Sequence, residues 1–95
     1  MYIVSRFIDP TTGVITGLTP SVKIKDINDS TTAYIVNSVT MDEIGEGLYR
    51  YNFTNIEVSK DYYIIVDGGS TLTSQYRWQE QYLVAGPNRG LKILL

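Results

Sequence analysis

Residues 40–69 read TMDEIGEGLYRYNFTNIEVSKDYYIIVDGG. A Gly-punctuated turn, Glu43-Ile44-Gly45-Glu46-Gly47, leads into an alternating run. In that run Tyr49, Tyr51 and Phe53 fall on one face, and Arg50 and Asn52 on the other. This period-2 pattern with aromatic bulk marks a half-buried strand. After a polar connection, Asp61 to Asp67 places Tyr62, Ile64 and Val66 on one face and Tyr63, Ile65 and Asp67 on the other. Both faces are largely apolar, which predicts a central strand. Asp67-Gly68-Gly69-Ser70 then forms a tight turn. Turn, strand, turn, strand is the grammar of an antiparallel sandwich, and the stretch holds no group capable of obvious chemistry.

The same reading extends outward. Tyr2 to Ile8 is β-branched and aromatic, a first strand, closed by the turn Asp9-Pro10-Thr11-Thr12-Gly13. Gly17-Leu18-Thr19-Pro20 is a second break. Ser21 to Ile27 alternates, with Val22 and Ile24 against Lys23 and Lys25. Ala33 to Val36 is a short strand, and Val39 to Met41 extends it or begins the next. Gln75 to Leu83 is the last long strand, with Tyr76, Trp78 and Tyr82 opposite Arg77, Gln79 and Gln81. Short strands at a spacing of about ten residues predict an all-β fold, an antiparallel β-sandwich of about seven strands. No helix of useful length is expected; residues 40–47 hold one turn at most. Residues 1–85 form this domain. Residues 86–95 form an extension that breaks at Gly86-Pro87-Asn88-Arg89-Gly90 and ends on Leu91-Lys92-Ile93-Leu94-Leu95. Such an apolar end either adds to a neighbour or pairs within its own sheet.

Composition narrows the function classes. Ninety-five residues make one domain. There is no cysteine, hence no disulfide or thiolate metal site, and no histidine, the usual general base and commonest metal ligand. Eight Lys and Arg against ten Asp and Glu give a net charge of −2. That balance argues against a nucleic-acid partner, which favours a basic stripe. No stretch approaches the roughly 20 apolar residues of a membrane helix. The start, MYIVSRFIDP, lacks the basic leader and apolar core of a secretory signal. Asn28-Asp29-Ser30 and Asn52-Phe53-Thr54 match the glycosylation acceptor pattern, but without a secretory signal they carry little weight.

The string GLTPSVKI, then MDEIGEGLYRYNFT, then KDYYIIVDGG and YRW resembles the small immunoglobulin-like β-sandwich domains of tailed-bacteriophage virion proteins. These include capsid auxiliary or decoration proteins and tail and fibre proteins. The shared pattern covers about residues 17–78. It is also similar to the Gly-x-Tyr core of prealbumin-like and carboxypeptidase regulatory-like modules. It departs from antibody-type domains in having no cysteine pair. The resemblance implies a non-enzymatic structural protein of the virion, assembled in the host cytoplasm and present in many copies. Its partner would be the major capsid protein or another virion protein, and it would need no cofactor. The alternative is a tail, baseplate or fibre module that adheres to a host-surface glycan.

Candidate residues follow from both readings. The sticky ends place docking contacts at Tyr2 and Ile3 and at Arg89, Leu91, Ile93, Leu94 and Leu95. Trp78, with Tyr76, Tyr82 and Arg77, either stacks on a glycan or partner or fills the core, and the core is the plainer expectation. Asp26, Asp29, Asp61 and Asp67 could line a calcium site, but they are too dispersed for a dense ligand loop and read as turn and strand-end residues. Asp42, Glu43 and Glu46 read as a solvated cluster rather than an acid–base pair. Tyr62 or Tyr63, just after the turn at Ser59-Lys60-Asp61, fits a tyrosine corner.

Overall fold

Alternating side chains become paired strands wherever a turn lets the chain return on itself. The computed structural model describes residues 1–31 and 33–84 and the backbone of 91–92. In chain order the elements are β1 (Tyr2–Arg6), β2 (Ile8–Asp9), β3 (Gly13–Val14), β4 (Ser21–Asp26), β5 (Val36–Thr40), β6 (Asp42–Gly45), β7 (Leu48–Asn52), β8 (Tyr62–Asp67), α1 (Ser74–Arg77), β9 (Trp78–Leu83) and β10 (Leu91–Lys92). They form a three-stranded sheet, β1-β7-β6, a five-stranded sheet, β10-β9-β8-β4-β5, and the hairpin β2–β3. Every pairing is antiparallel. The domain is therefore all-β and antiparallel, as the alternation predicts.

One core draws on both larger sheets. Ile3, Tyr49 and Phe53 come from the smaller sheet and its flank; Val22, Ile24, Tyr62, Ile64, Val66 and Leu83 come from the larger one. Fully burying such side chains contributes roughly 1.5–3 kcal/mol each. Two edge-to-face ring pairs add to this, Phe7–Tyr49 at 5.8 Å and Phe53–Tyr62 at 5.1 Å between centroids. β8 is the central strand expected, lying between β9 and β4. β5 and β6 are nearly continuous. Met41 between them is buried, and its N–H donates to the Pro20 carbonyl at 2.8 Å. The chain switches sheets at this corner, which settles the choice left open for Val39 to Met41.

The β6–β7 hairpin closes through two residues, Glu46 and Gly47, both at positive φ (56° and 74°). That is the turn whose twist matches antiparallel strands. Gly47 is required twice over, because a Cβ there would also lie 2.8 Å from the Phe7 carbonyl oxygen. The expected turn over 43–47 is thus shorter than its sequence suggests, since Asp42–Gly45 is strand.

Other expectations are corrected. Ser74–Arg77 is one helical turn, so the last long strand begins at Trp78 rather than Gln75. Trp78 and Tyr82 do share a face, but it is the outer one; Gln81 and Leu83 face the core. Ala33 to Ile35 lie outside β5. In the constant-type immunoglobulin order, strands A, B, E and D share one sheet and C, F and G the other. Taking β1 and β4–β9 as those seven strands, β4 here lies between β5 and β8 instead of beside β1.

The tail's two alternatives part at β10. Leu91 and Lys92 pair with Leu83 and Tyr82 of the same chain. Arg89, Ile93, Leu94 and Leu95 lie outside the described residues.

Candidate interaction surface

β1 carries Tyr2 and Ile3 along the edge of the smaller sheet. Its odd residues bond to β7 and its neighbours, as in the Phe7 N–H to Gly47 carbonyl bond (2.9 Å) and the Phe53 N–H to Met1 carbonyl bond (2.7 Å). The even carbonyls therefore point to the free edge. Two of them are already taken by glutamines of β9: Gln81 Nε2 donates to Val4 O at 3.0 Å, and Gln79 Nε2 donates to Arg6 O at 2.5 Å. Gln81 Nε2 also reaches Ser5 Oγ at 3.3 Å. These amides tie the two sheets together and blunt an edge that would otherwise template strand addition.

Ile3 is fully buried (0% exposed), so its assignment as a docking residue is corrected; alternation turns it inward. Tyr2 does face outward, 51% exposed, with the Arg50 guanidinium 4.8 Å from its ring centroid. Val4, exposed on the same strand two residues on, shares that outer face and pairs with Arg50.

The outer face of the larger sheet holds a second cluster. Trp78 is 46% exposed, which overturns the expectation that it fills the core. Its register partner on β8 is Asp67, and the Arg77 guanidinium lies 4.5 Å from the indole centroid. Arg77 grips Asp67 with a fork of two bonds, Nε to Oδ1 at 2.6 Å and Nη2 to Oδ2 at 3.0 Å. Gly69 N–H donates to the same Oδ1 at 2.9 Å. The Arg77 bond above all holds the Asp67 carboxyl below its ordinary pKa.

Beside this pair, Ser21, Lys23, Tyr34, Ser38, Ile65 and Trp78 join Asp67 around a shallow cavity of about 170 Å³. Further along the face, the Tyr63 and Tyr82 rings meet at a tilt of 50° with centroids 5.4 Å apart, and Tyr63 Oη donates to Glu80 Oε1 at 3.1 Å. Burial, helped by that hydrogen bond, pushes the Tyr63 phenol up to about 12.

The acidic residues behave as turn formers. Asp26, Asp29 and Asp67 each accept a backbone N–H two residues on, from Asn28, Thr31 and Gly69. Among the described residues no three His, Cys, Asp or Glu side chains come together as a metal site would need. Glu43 Oε1 accepts from Gly17 N–H at 3.0 Å. Tyr62 takes the corner role, its hydroxyl accepting from Glu57 N–H at 3.0 Å, five residues upstream.

Sequence reasoning missed Lys23, Tyr34 and Ser38 as members of one surface. The Lys23/Lys25 alternation placed the lysines outward, but only the pairing of β4 with β8 sets Lys23 beside Ile65. What the arrangement can do is stack and pair: an aromatic platform, cations and hydroxyls on rigid strands, with a cavity below the roughly 300–1,000 Å³ of ordinary small-molecule pockets. Comparison with protein-family models, with curated proteins and with solved structures returned no match.

Proposed function

We propose that this domain is a non-enzymatic structural module of a tailed-phage virion, an auxiliary protein bound to the capsid surface in many copies. Its fold in this reading is an immunoglobulin-like sandwich with the second long strand moved to the larger sheet. The core shared by the two larger sheets supports that description. The virion setting is supported by the sequence resemblance alone.

The observation that carries a docking role is Tyr2. It stands half-exposed on Arg50, with Val4 beside it, on the outer face of the smaller sheet. Tyr and Arg are enriched at interface centres because each offers a large flat body with a polar end. Multiplied over many copies, even a modest contact stabilises the shell by mass action. With β1's carbonyls capped by Gln79 and Gln81, the docking uses this face rather than strand addition. Tyr2→Ala is expected to lower incorporation into particles at least tenfold while leaving the unfolding midpoint nearly unchanged. Normal incorporation of that variant would defeat the assignment.

A second reading, adhesion to a host-surface glycan by a tail, baseplate or fibre module, is favoured by the exposed Trp78. Trp78→Ala then abolishes glycan binding, and unaltered binding rules it out.

A further inference from the structure

We propose that the cavity at Trp78 is a subsite for one acidic sugar ring, a hexuronate-type unit of a glycan. The inference rests on the adhesion reading of the larger sheet's outer face and names the ligand class it takes. Its floor is Ile65 on the central strand β8, with Lys23 opposite it on β4. Rigid central strands are the best support for a site of fixed geometry.

Charge selects the ligand. Asp67 lines the cavity, but the Arg77 fork neutralises it. Lys23 has no carboxylate within ion-pair distance among the described residues. Its ammonium instead lies 5.4 Å from the Tyr34 ring centroid. Lys23 and Arg77 against Asp67 leave this cluster with a net charge of +1, with Lys23 attracting Asp67 only at longer range, and a sugar carboxylate complements that balance. The indole of Trp78 supplies an apolar plate for the C–H face of a pyranose, and Ser21 and Ser38 supply hydroxyls for its polar edge.

Size and strain agree. A cavity of about 170 Å³ suits a single ring rather than an extended chain. Ser38 lies at φ 55°, in the left-handed region, where the β4–β5 register slips between Val22 and Ile24. Bulges of this kind re-aim a side chain and gather next to binding sites. Of the residues in the slipped stretch, Lys23 and Ser38 line the cavity.

The chain's single tryptophan is Trp78, so its fluorescence reports this site directly. The full chain is titrated with D-glucuronate, D-glucose and acetate. Glucuronate is expected to change the emission saturably with Kd on the order of 1 mM, glucose to bind at least tenfold more weakly, and acetate to give no saturable change. Lys23→Gln should weaken glucuronate at least tenfold and Lys23→Arg should retain it. Ser38→Gly, which suits the positive φ, should weaken it several-fold, and it serves if the Lys23 variant does not fold.

No saturable response to glucuronate overturns the proposal. So does an equal response to acetate, which marks a bare anion contact, or an equal response to glucose. Full affinity in the folded Lys23→Gln and Ser38→Gly variants overturns it too. The capsid reading is judged separately, by incorporation into particles, and neither result decides the other.

Discussion

Replacing Tyr49 with Phe removes one oxygen from the interior, and the structure sets the size of the effect. Tyr49 is fully buried. Its hydroxyl accepts from Leu18 N–H at 3.1 Å and donates to Ile15 O at 3.1 Å. One side chain of β7 thus holds the connection that feeds β4, the strand carrying Ser21 and Lys23. In the Phe variant two partly buried backbone groups lose their partner at once. An orphaned group of this kind costs about 1–3 kcal/mol, with water recovering part of it at a half-buried site. A total of about 2 kcal/mol is expected. With a urea m-value near 1 kcal/mol/M for a small domain, the midpoint should fall by about 2 M. The melting temperature should fall by roughly 8–16 °C. Urea unfolding followed by Trp78 fluorescence reads this out. Tyr62→Phe is the comparison: its hydroxyl accepts from the N–H of an exposed loop residue, Glu57, and loss of that bond should cost about 1 kcal/mol. A Tyr49→Phe midpoint indistinguishable from the parent, at unchanged m, would refute the claim that this hydroxyl organises the connection.

Gln81 offers a paired test. It is buried, and its Oε1 has no hydrogen-bond partner among the described residues. Gln81→Leu loses the bonds to Val4 and Ser5 but also removes that orphan oxygen, so the two effects partly offset and the net cost should be about 1–2 kcal/mol. Gln81→Glu buries a charge against the Val4 carbonyl and should cost about 3 kcal/mol or more at neutral pH; equal urea midpoints for the two variants would contradict the capping geometry. Gly47→Ala should destabilise the β6–β7 hairpin by about 1 kcal/mol or more, from its positive φ and the close Phe7 carbonyl, and an unchanged melting temperature would count against that turn. The Asp67–Arg77 pair predicts a pH dependence. The Arg77 fork holds the folded Asp67 carboxyl below its ordinary pKa, so the pair's contribution is fully present above that ordinary value and fades as pH falls through the lower folded one. The stability gap between parent and Asp67→Asn should therefore shrink on acidification, and a gap that stays constant from neutral to strongly acidic pH speaks against the ion pair.

Strands whose alternation separates apolar from polar residues were legible in the sequence. Val22/Ile24 against Lys23/Lys25 and the paired faces of Tyr62–Asp67 stand as the period-2 pattern places them. β9 was not legible, because its pattern points the wrong way. An aromatic face packed inward and a glutamine face outward is the plain reading, yet Gln81 is buried and Trp78 is not. The reason is the partner: the carbonyls of Val4 and Arg6 need donors, and they lie 77 and 73 residues away in the chain. Periodicity carries no information about a demand set by another strand's free edge. Likewise Ile3 read as a sticky terminal residue, but position near an end says nothing about burial once β1 is paired along β7. The cavity depends on register. Ser21, Asp67 and Trp78 meet because β4, β8 and β9 align them in one row.

The proposed place on the phage capsid is open to a direct measurement, the copy number of this protein in purified particles. Quantitative mass spectrometry against the major shell protein gives that ratio. A capsid auxiliary protein should be present at close to one copy per shell subunit. A few copies per particle would contradict the capsid assignment and move the domain to the tail or fibres; absence from the particles would contradict the virion reading altogether.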